Sequence, residues 1–363
     1  MLGALAVVTT HVGFSSGASL NTPFAGLLAR LDVGVALFFV ISGFLLYRPH
    51  ARARMSGTIS PSTGRYLMHR ALRILPALWV TVLVAAVLVP SATSGAASYL
   101  RVATLTQIYT GQPFLPGLTQ MWSLATEAAF YLLLPLLAWA LGRTAGDPRR
   151  WSRATIGALI ALAVLSALWV AGVAGSDGGV RGLWLPAYLG WFGIGMALAT
   201  WHVAREAGVL RRGWVDNLAS APGTAYGAAG AVFLVLSTPL AGPFGLSEST
   251  ALEAVVRNIG YGVVGGLLVI PAISPEGART SFVRALGSRA GRAFGDISYG
   301  VFCYHLIALL LVERVIGHEA FTGNFHVLWL GTVAITLPVA WLSYRFMERP
   351  IMRRGRRAEV SST

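Results

Sequence analysis

MWSLATEAAFYLLLPLL, residues 121–137, decides how this chain is read. Apolar residues run through it and on to 141 with a single charge, Glu127. A run of about 20 such residues is long enough to cross a bilayer as a helix. A carboxylate inside such a run is expensive, so it faces a bundle interior or a wet cavity and has a partner. Glu127 therefore needs a partner within the bundle and a use that justifies its cost.

The rest of the chain matches the stretch. Of 363 residues, 55% are hydrophobic and 12% charged, and the mean hydropathy is +0.65. A soluble domain carries about a quarter charged residues. Apolar runs at about 1–14, 33–47, 71–89, 121–141, 154–174, 184–201, 224–241, 255–273, 296–316 and 326–347 predict ten spans. The fold class expected is an all-α, polytopic transmembrane bundle. The first run has no basic start and no small-residue cleavage site, so it reads as a span rather than a signal peptide.

The net charge of +14 comes entirely from arginine among the basic residues, since lysine is absent. Such an excess suits a nucleic-acid partner or inside-facing loops; in a chain this apolar the second reading fits, and no nucleic-acid partner is expected. Arg48, Arg52, Arg54, Arg65, Arg70 and Arg73 crowd the segment 48–73, and the loops 142–153, 202–223 and 274–295 and the tail from 349 are also basic. The alternate loops hold only Arg30, Arg101 and Arg181. By the positive-inside rule both termini are cytoplasmic. The short loops leave no room for a second folded domain, so residues 1–350 read as one membrane domain and 351–363 as a basic cytoplasmic tail. The longest outer loop, 90–120, is rich in Ser, Thr, Gly and Pro and either lines a vestibule or connects two spans. The single cysteine, Cys303, excludes an internal disulfide and a cysteine cluster for zinc, and its apolar surroundings make it a core residue.

Few ionisable residues lie well inside the spans: His11, Glu127 and His305. Asp32, Arg73, Glu313, Arg314 and Arg345 lie nearer the ends. If span one leaves the membrane near Phe14, His11 lies ~5 Å below the outer face. If span four enters near Met121, Glu127 lies ~9 Å below that same face, and the two can share a level. His305 falls ~14 Å up from the inner end of its span, near the midplane. Ser123, Glu127 and Tyr131 recur at four-residue spacing and form one polar stripe, and Ser298 and His305 share a face. Such stripes serve structural hydrogen bonds, a reaction site or a transport path equally well. Arg70 and Arg73, three apart where span three begins, suit bidentate phosphate binding or plain topogenic charge.

With these residues in view, the chain resembles the acyltransferase 3 family of integral membrane acyltransferases. The blocks that carry the resemblance are VVTTH (7–11), DVGVALFFVISGFLL (32–46), HRALRILPALW (69–79), MWSLATEAAFY (121–131), ISYGVFCYH (297–305) and RFMERP (345–350). They match the family's outer-end His (His11), its Arg-x-x-Arg (Arg70, Arg73) and its Trp-Ser-Leu-x-x-Glu (Trp122, Ser123, Leu124, Glu127). They also match its Tyr-Gly-x-x-x-x-His (Tyr299, Gly300, His305) and its Glu-Arg-Pro ending (Glu348, Arg349, Pro350). Two departures stand out. The family's basic residue eleven positions before the His would precede Met1, and with a first span this short an upstream start is expected. Where an acid often follows in the second block this chain has Ala36, with Asp32 one helical turn earlier to substitute.

The resemblance implies a multi-pass enzyme of the bacterial plasma membrane. It moves an acyl group, acetyl or another short chain, from cytoplasmic acyl-CoA to a hydroxyl of a cell-envelope sugar, a glycolipid or a secreted small molecule. It implies His11 as the base, Glu127 orienting that imidazole, and His305 contacting the donor's arm, relaying a proton or accepting the acyl group. It assigns Arg70 and Arg73 to CoA phosphates, and Glu348 and Arg349 to a structural ion pair. No metal is expected. The competing readings are a transporter or flippase for a glycan or lipid intermediate, which ionisable residues at the midplane also suit, and a non-catalytic scaffold.

Overall fold

The computed structural model describes residues 1–363 except 92–93, 111–113, 144–145, 175–176, 246, 275–276 and 361–363. The last three residues of the basic tail therefore lie outside it. The described residues hold helices and no strand.

Helices fall on all ten apolar stretches: α1 (Leu2–Ser15), α2 (Val33–Ser56), α3 (Thr63–Leu88), α4 (Met121–Gly142), α5 (Pro148–Val173), α6 (Leu189–Glu206), α7 (Pro222–Leu236), α8 (Ala251–Val269), α9 (Arg289–Ile316) and α10 (Phe325–Ser343). Seven helical stretches among the described residues are long and apolar enough to cross a membrane, or eight if α7 and the short helix Trp214–Ser220, bent by 98°, form one broken span. α1 is apolar but short, and α6 is not in that set. This is a multi-pass membrane protein.

The helix ends follow local chemistry. Gly17 (φ 77°) and Gly57 (φ 67°) take the left-handed conformation that ends α1 and α2, which costs glycine little. Pro148 opens α5 behind Asp147, whose carboxylate accepts from the Arg149 and Arg150 N–H groups at 2.8 and 3.1 Å. Those two bonds hold the exposed Asp147 carboxyl below its ordinary range. Thr250 and Glu253 form a reciprocal capping box at the start of α8.

The chain divides into two compact units. The first comprises Met1–Leu31, Thr63–Tyr131 and Ala293–Thr363. Its α1 is pinned through its C-terminal half. Trp329 Nε1 of α10 donates to Thr9 Oγ1 at 2.9 Å, and Thr10 Oγ1 donates to the Ala29 carbonyl at 3.2 Å. At its C-terminal end the Ser15 hydroxyl donates to Glu313, and the Phe321 N–H donates to the Ser15 carbonyl at 2.7 Å. After α10 the backbone makes a π-turn, Tyr344–Glu348, before the helix Arg349–Val360. A π-turn shifts the following residues around the axis. Here it lets the Ser343 hydroxyl reach Glu348 Oε1, five residues on, at 2.7 Å, with Glu348 buried.

The second unit comprises Asp32–Ser62 and Leu132–Arg292. Its centre is the crossing of α2 and α6. Phe39 stacks on Phe192 with ring centroids 4.5 Å apart, and Gly43 and Gly195 let the two backbones touch. In lipid, where apolar surface gains little by pairing, such small-residue contacts hold helices together. Asp32 lies in this unit and accepts from the Tyr261 hydroxyl.

Candidate active site

The five residues given catalytic or donor-binding roles from the sequence, His11, Glu127, His305, Arg70 and Arg73, all belong to the first unit, but they form two clusters. His11 meets His305, with ring centroids 5.3 Å apart and planes inclined by 39°. His305 is 1% exposed. Its Nδ1 lies 3.1 Å from the Val301 carbonyl and 2.8 Å from the Phe302 carbonyl. A carbonyl only accepts, so Nδ1 carries the proton and Nε2 the lone pair. That Nε2 is buried and has no hydrogen-bond partner among the described residues. Gly300, five residues earlier, lets α9 lie close against α10: a Cβ there would lie 2.9 Å from the Ala340 Cβ.

Glu127 sits elsewhere. Tyr131, one turn on along α4, hydrogen-bonds to it, and Tyr66 of α3 lies within its electrostatic reach. Arg70 and Arg73 act on the same Tyr131 hydroxyl, and Arg73 also acts on Glu348. The carboxylate thus joins the guanidinium pair at the first turns of α3. His11 makes no hydrogen bond with a described residue, so the expected pairing of His11 with Glu127 is not formed.

The cause lies in the connection 90–120, which is not a surface loop. Val102, Leu105, Ile108, Leu115 and Leu118 are buried, and the helix Ala96–Ala103 and the turn Gln107–Tyr109 carry the chain inward. Gln120, just before α4, donates through Nε2 to the Cys303 carbonyl at 2.8 Å. Cys303 precedes the end of α9 at Ile316 by thirteen residues, or ~20 Å of helix. α4 therefore starts level with the middle of α9 rather than with its end. Glu127, seven residues further on, lies ~10 Å along α4 from there.

The same connection supplies two residues that the sequence did not single out. Gln107 Nε2 donates to the Met121 carbonyl at 3.0 Å, and Gln120 is held as above. Both are buried, and both side-chain carbonyls lack a donor among the described residues. With His305 Nε2 they make three buried acceptor atoms around the start of α4 and the middle of α9. The sequence signal was weak: an amide is uncharged, and each falls in a stretch that reads as a polar loop.

The guanidinium end has its own recess, of about 70 Å³, lined by His69, Arg70, Leu72, Arg73 and Met352. Arg70 Nε is buried without a partner among the described residues. A charged donor left over at such a site suits a phosphate oxygen. Cys303 is fully buried, as its apolar surroundings predicted. No cluster of metal-ligating side chains occurs among the described residues.

A family model described as an acyltransferase domain matches residues 1–345. The exopolysaccharide production protein ExoZ of Rhizobium meliloti is 28% identical over 347 residues, covering 91% of this chain and 92% of that protein. Nodulation protein 10 of Rhizobium leguminosarum bv. viciae is 27% identical over 350 residues, covering 88% and 82%. The peptidoglycan O-acetyltransferase OatA of Listeria monocytogenes is 25% identical over 388 aligned positions, covering 98% of this chain but 55% of that protein. No solved structure matches.

Proposed function

Because the chain belongs to the acyltransferase 3 family and is an acyltransferase, we propose that it moves an acetyl or other short acyl group from acyl-CoA to a hydroxyl of a cell-envelope sugar, glycolipid or secreted small molecule. Two of its relatives carry names that speak of exopolysaccharide production and of peptidoglycan O-acetyl transfer, which supports that class of acceptor. The observation that carries the reading is the contact of two imidazoles, one with a buried and unpartnered lone pair. In this reading residues 1–350 serve as one membrane acyltransferase domain in the bacterial plasma membrane, with both termini cytoplasmic. The transporter alternative gains no support from the fold or the relatives.

His11 takes the proton of the acceptor hydroxyl as its oxygen attacks the thioester carbonyl. His305, whose Nδ1–H is committed to backbone carbonyls, offers its Nε2 lone pair to the N–H of the imidazolium that forms. It thereby does for His11 what a carboxylate does in many hydrolases. The C–O bond forms, the C–S bond breaks, and the proton held on His11 passes to the leaving thiolate. Two imidazoles this close do not both carry a charge comfortably, so only one of the pair is an imidazolium at a time. Gln107 and Gln120, as acceptors without donors, suit a substrate rich in hydroxyls.

Arg70 and Arg73 hold the donor's phosphates, and Glu127 with Tyr131 orients the two guanidinium groups. The test uses purified protein, labelled acetyl-CoA and candidate glycans, with release of CoA as the signal. Arg70→Gln is expected to raise the KM for the donor about tenfold or more, as loss of a charge-assisted bond does, with the acceptor KM little changed. Glu127→Gln is expected to act in the same direction on the donor. A donor KM unmoved by either change returns the cluster to a structural role, and absence of CoA release with any acceptor removes the donor assignment.

A further inference from the structure

The second unit contains a cavity of about 590 Å³ that the proposed chemistry does not use. One part of its wall is apolar, with Phe44, Trp201 and Ile273. Another carries Arg48, Arg205 and Arg212 with the carboxylates Glu206 and Asp216. The charges do not cancel. Arg205 is fully engaged, by Asp216 at 2.6 Å and by the Leu210 carbonyl at 2.6 Å. Glu206 is shared among Arg52 at 2.6 Å, His202 Nε2 at 3.1 Å and Arg48 at 3.7 Å, two guanidinium groups and an imidazole around one carboxylate. Arg212 donates to a neutral partner, the Ser220 hydroxyl, at 3.3 Å. Among the described residues this leaves an excess of about two positive charges, and Arg48 Nε is buried with no hydrogen-bond partner. Buried donors in native proteins are nearly always satisfied, so one left over at a cavity wall points to a ligand atom.

The ligand's chemistry follows from the two walls. Guanidinium groups in excess call for an anion with several acceptor oxygens, which a phosphate ester supplies. The volume far exceeds that of a bare phosphate, and the apolar wall calls for an organic arm. We propose that this cavity binds a phosphate ester carrying an apolar arm, with its phosphate on Arg48 and Arg212. Two sources share that chemistry: an anionic phospholipid from the bilayer and a second molecule of a nucleotide-bearing thioester such as acyl-CoA, additional to the donor on Arg70 and Arg73. The inference stands independently of the roles given to His11 and His305.

The full chain is tested in two arms, against phosphatidylglycerol in nanodiscs otherwise of phosphatidylcholine, and against CoA in detergent. Native mass spectrometry reads retained lipid and equilibrium titration reads CoA. The double variant R48Q/R212Q is expected to weaken binding of at least one probe roughly tenfold or more. Glu206→Gln, which frees guanidinium charge, is expected to strengthen it. A response confined to phosphatidylglycerol identifies the lipid, one confined to CoA identifies the nucleotide, and a response of both supports the shared chemistry. The proposal is overturned if the parent protein binds neither probe, if R48Q/R212Q binds both as tightly as the parent, or if Glu206→Gln weakens binding too, the pattern that structural damage would give.

Discussion

His305→Ala abolishes acyl transfer, and His11→Ala does the same, each lowering kcat by roughly 10²–10⁴-fold, the usual worth of a positioned acid–base group. Neither change should prevent insertion or folding. His11 makes no hydrogen bond with a described residue, and His305 hydrogen-bonds only to carbonyls of its own helix. The sharper expectation concerns the pair. If His305 acts only by receiving the N–H of His11, the double variant His11→Ala/His305→Ala loses no more than the worse of the two single variants, because groups that act as one unit are not additive. The measurement is single-turnover acyl transfer by purified variants of matched monodispersity. Losses that multiply in the double variant would separate the two imidazoles into independent roles, such as base and acyl carrier. Full activity in His305→Ala would remove it from the chemistry.

How much of this was legible beforehand varies with the kind of signal. Hydropathy put a helix on each of the ten apolar stretches, but only seven, or eight with the bent pair, are long and apolar enough among the described residues to cross a membrane. The two histidines were legible as costly residues in apolar runs, and the structure brings them together. Their partners were not legible. The common level expected for His11 and Glu127 required α4 to begin at the outer ends of its neighbours, whereas it begins level with the middle of α9. Its first residues are carried inward by Leu105, Ile108, Leu115 and Leu118, apolar residues dispersed among Ser, Thr, Gly and Pro so that no period marks them. The spacing of Glu127 and Tyr131 was read correctly as one face, yet a face does not say which neighbour it meets. The pairing of His305 Nδ1 with carbonyls of its own helix was equally hidden, since it depends on a side-chain torsion. The π-turn that buries Glu348 also leaves no mark, because any helix-forming residues can make the i→i+5 bond.

Glycine was the least legible class of all, and it carries the largest expected effect on folding. The sequence holds 42 glycines, and nothing in their spacing distinguishes those that matter. On α6 the structure separates two that lie two residues apart. A Cβ on Gly193 would meet its nearest neighbour, the Leu159 carbonyl oxygen, at 3.6 Å, an ordinary contact. A Cβ on Gly195 would lie 2.0 Å from the Val40 carbonyl oxygen and 2.6 Å from the Phe44 nitrogen, both backbone atoms of α2. Backbone cannot swing aside as a side chain does. The helices would have to part, and with them Phe39 would leave Phe192. Gly43 reports the same closeness from the other side, its added Cβ falling 2.2 Å from the Phe192 carbonyl oxygen. Gly193→Ala is therefore expected to leave expression, monodispersity and thermal stability close to the parent. Gly195→Val is expected to cost about 3 kcal/mol or more, at or beyond the upper end of ordinary overpacking, and to yield little folded protein. Size-exclusion profiles and thermal unfolding in detergent give the comparison. Equal behaviour of the two variants would mean that α2 and α6 are not in backbone contact, whereas a selective loss at Gly195 would place the unit's integrity on a pair of glycines rather than on its stacked aromatic rings.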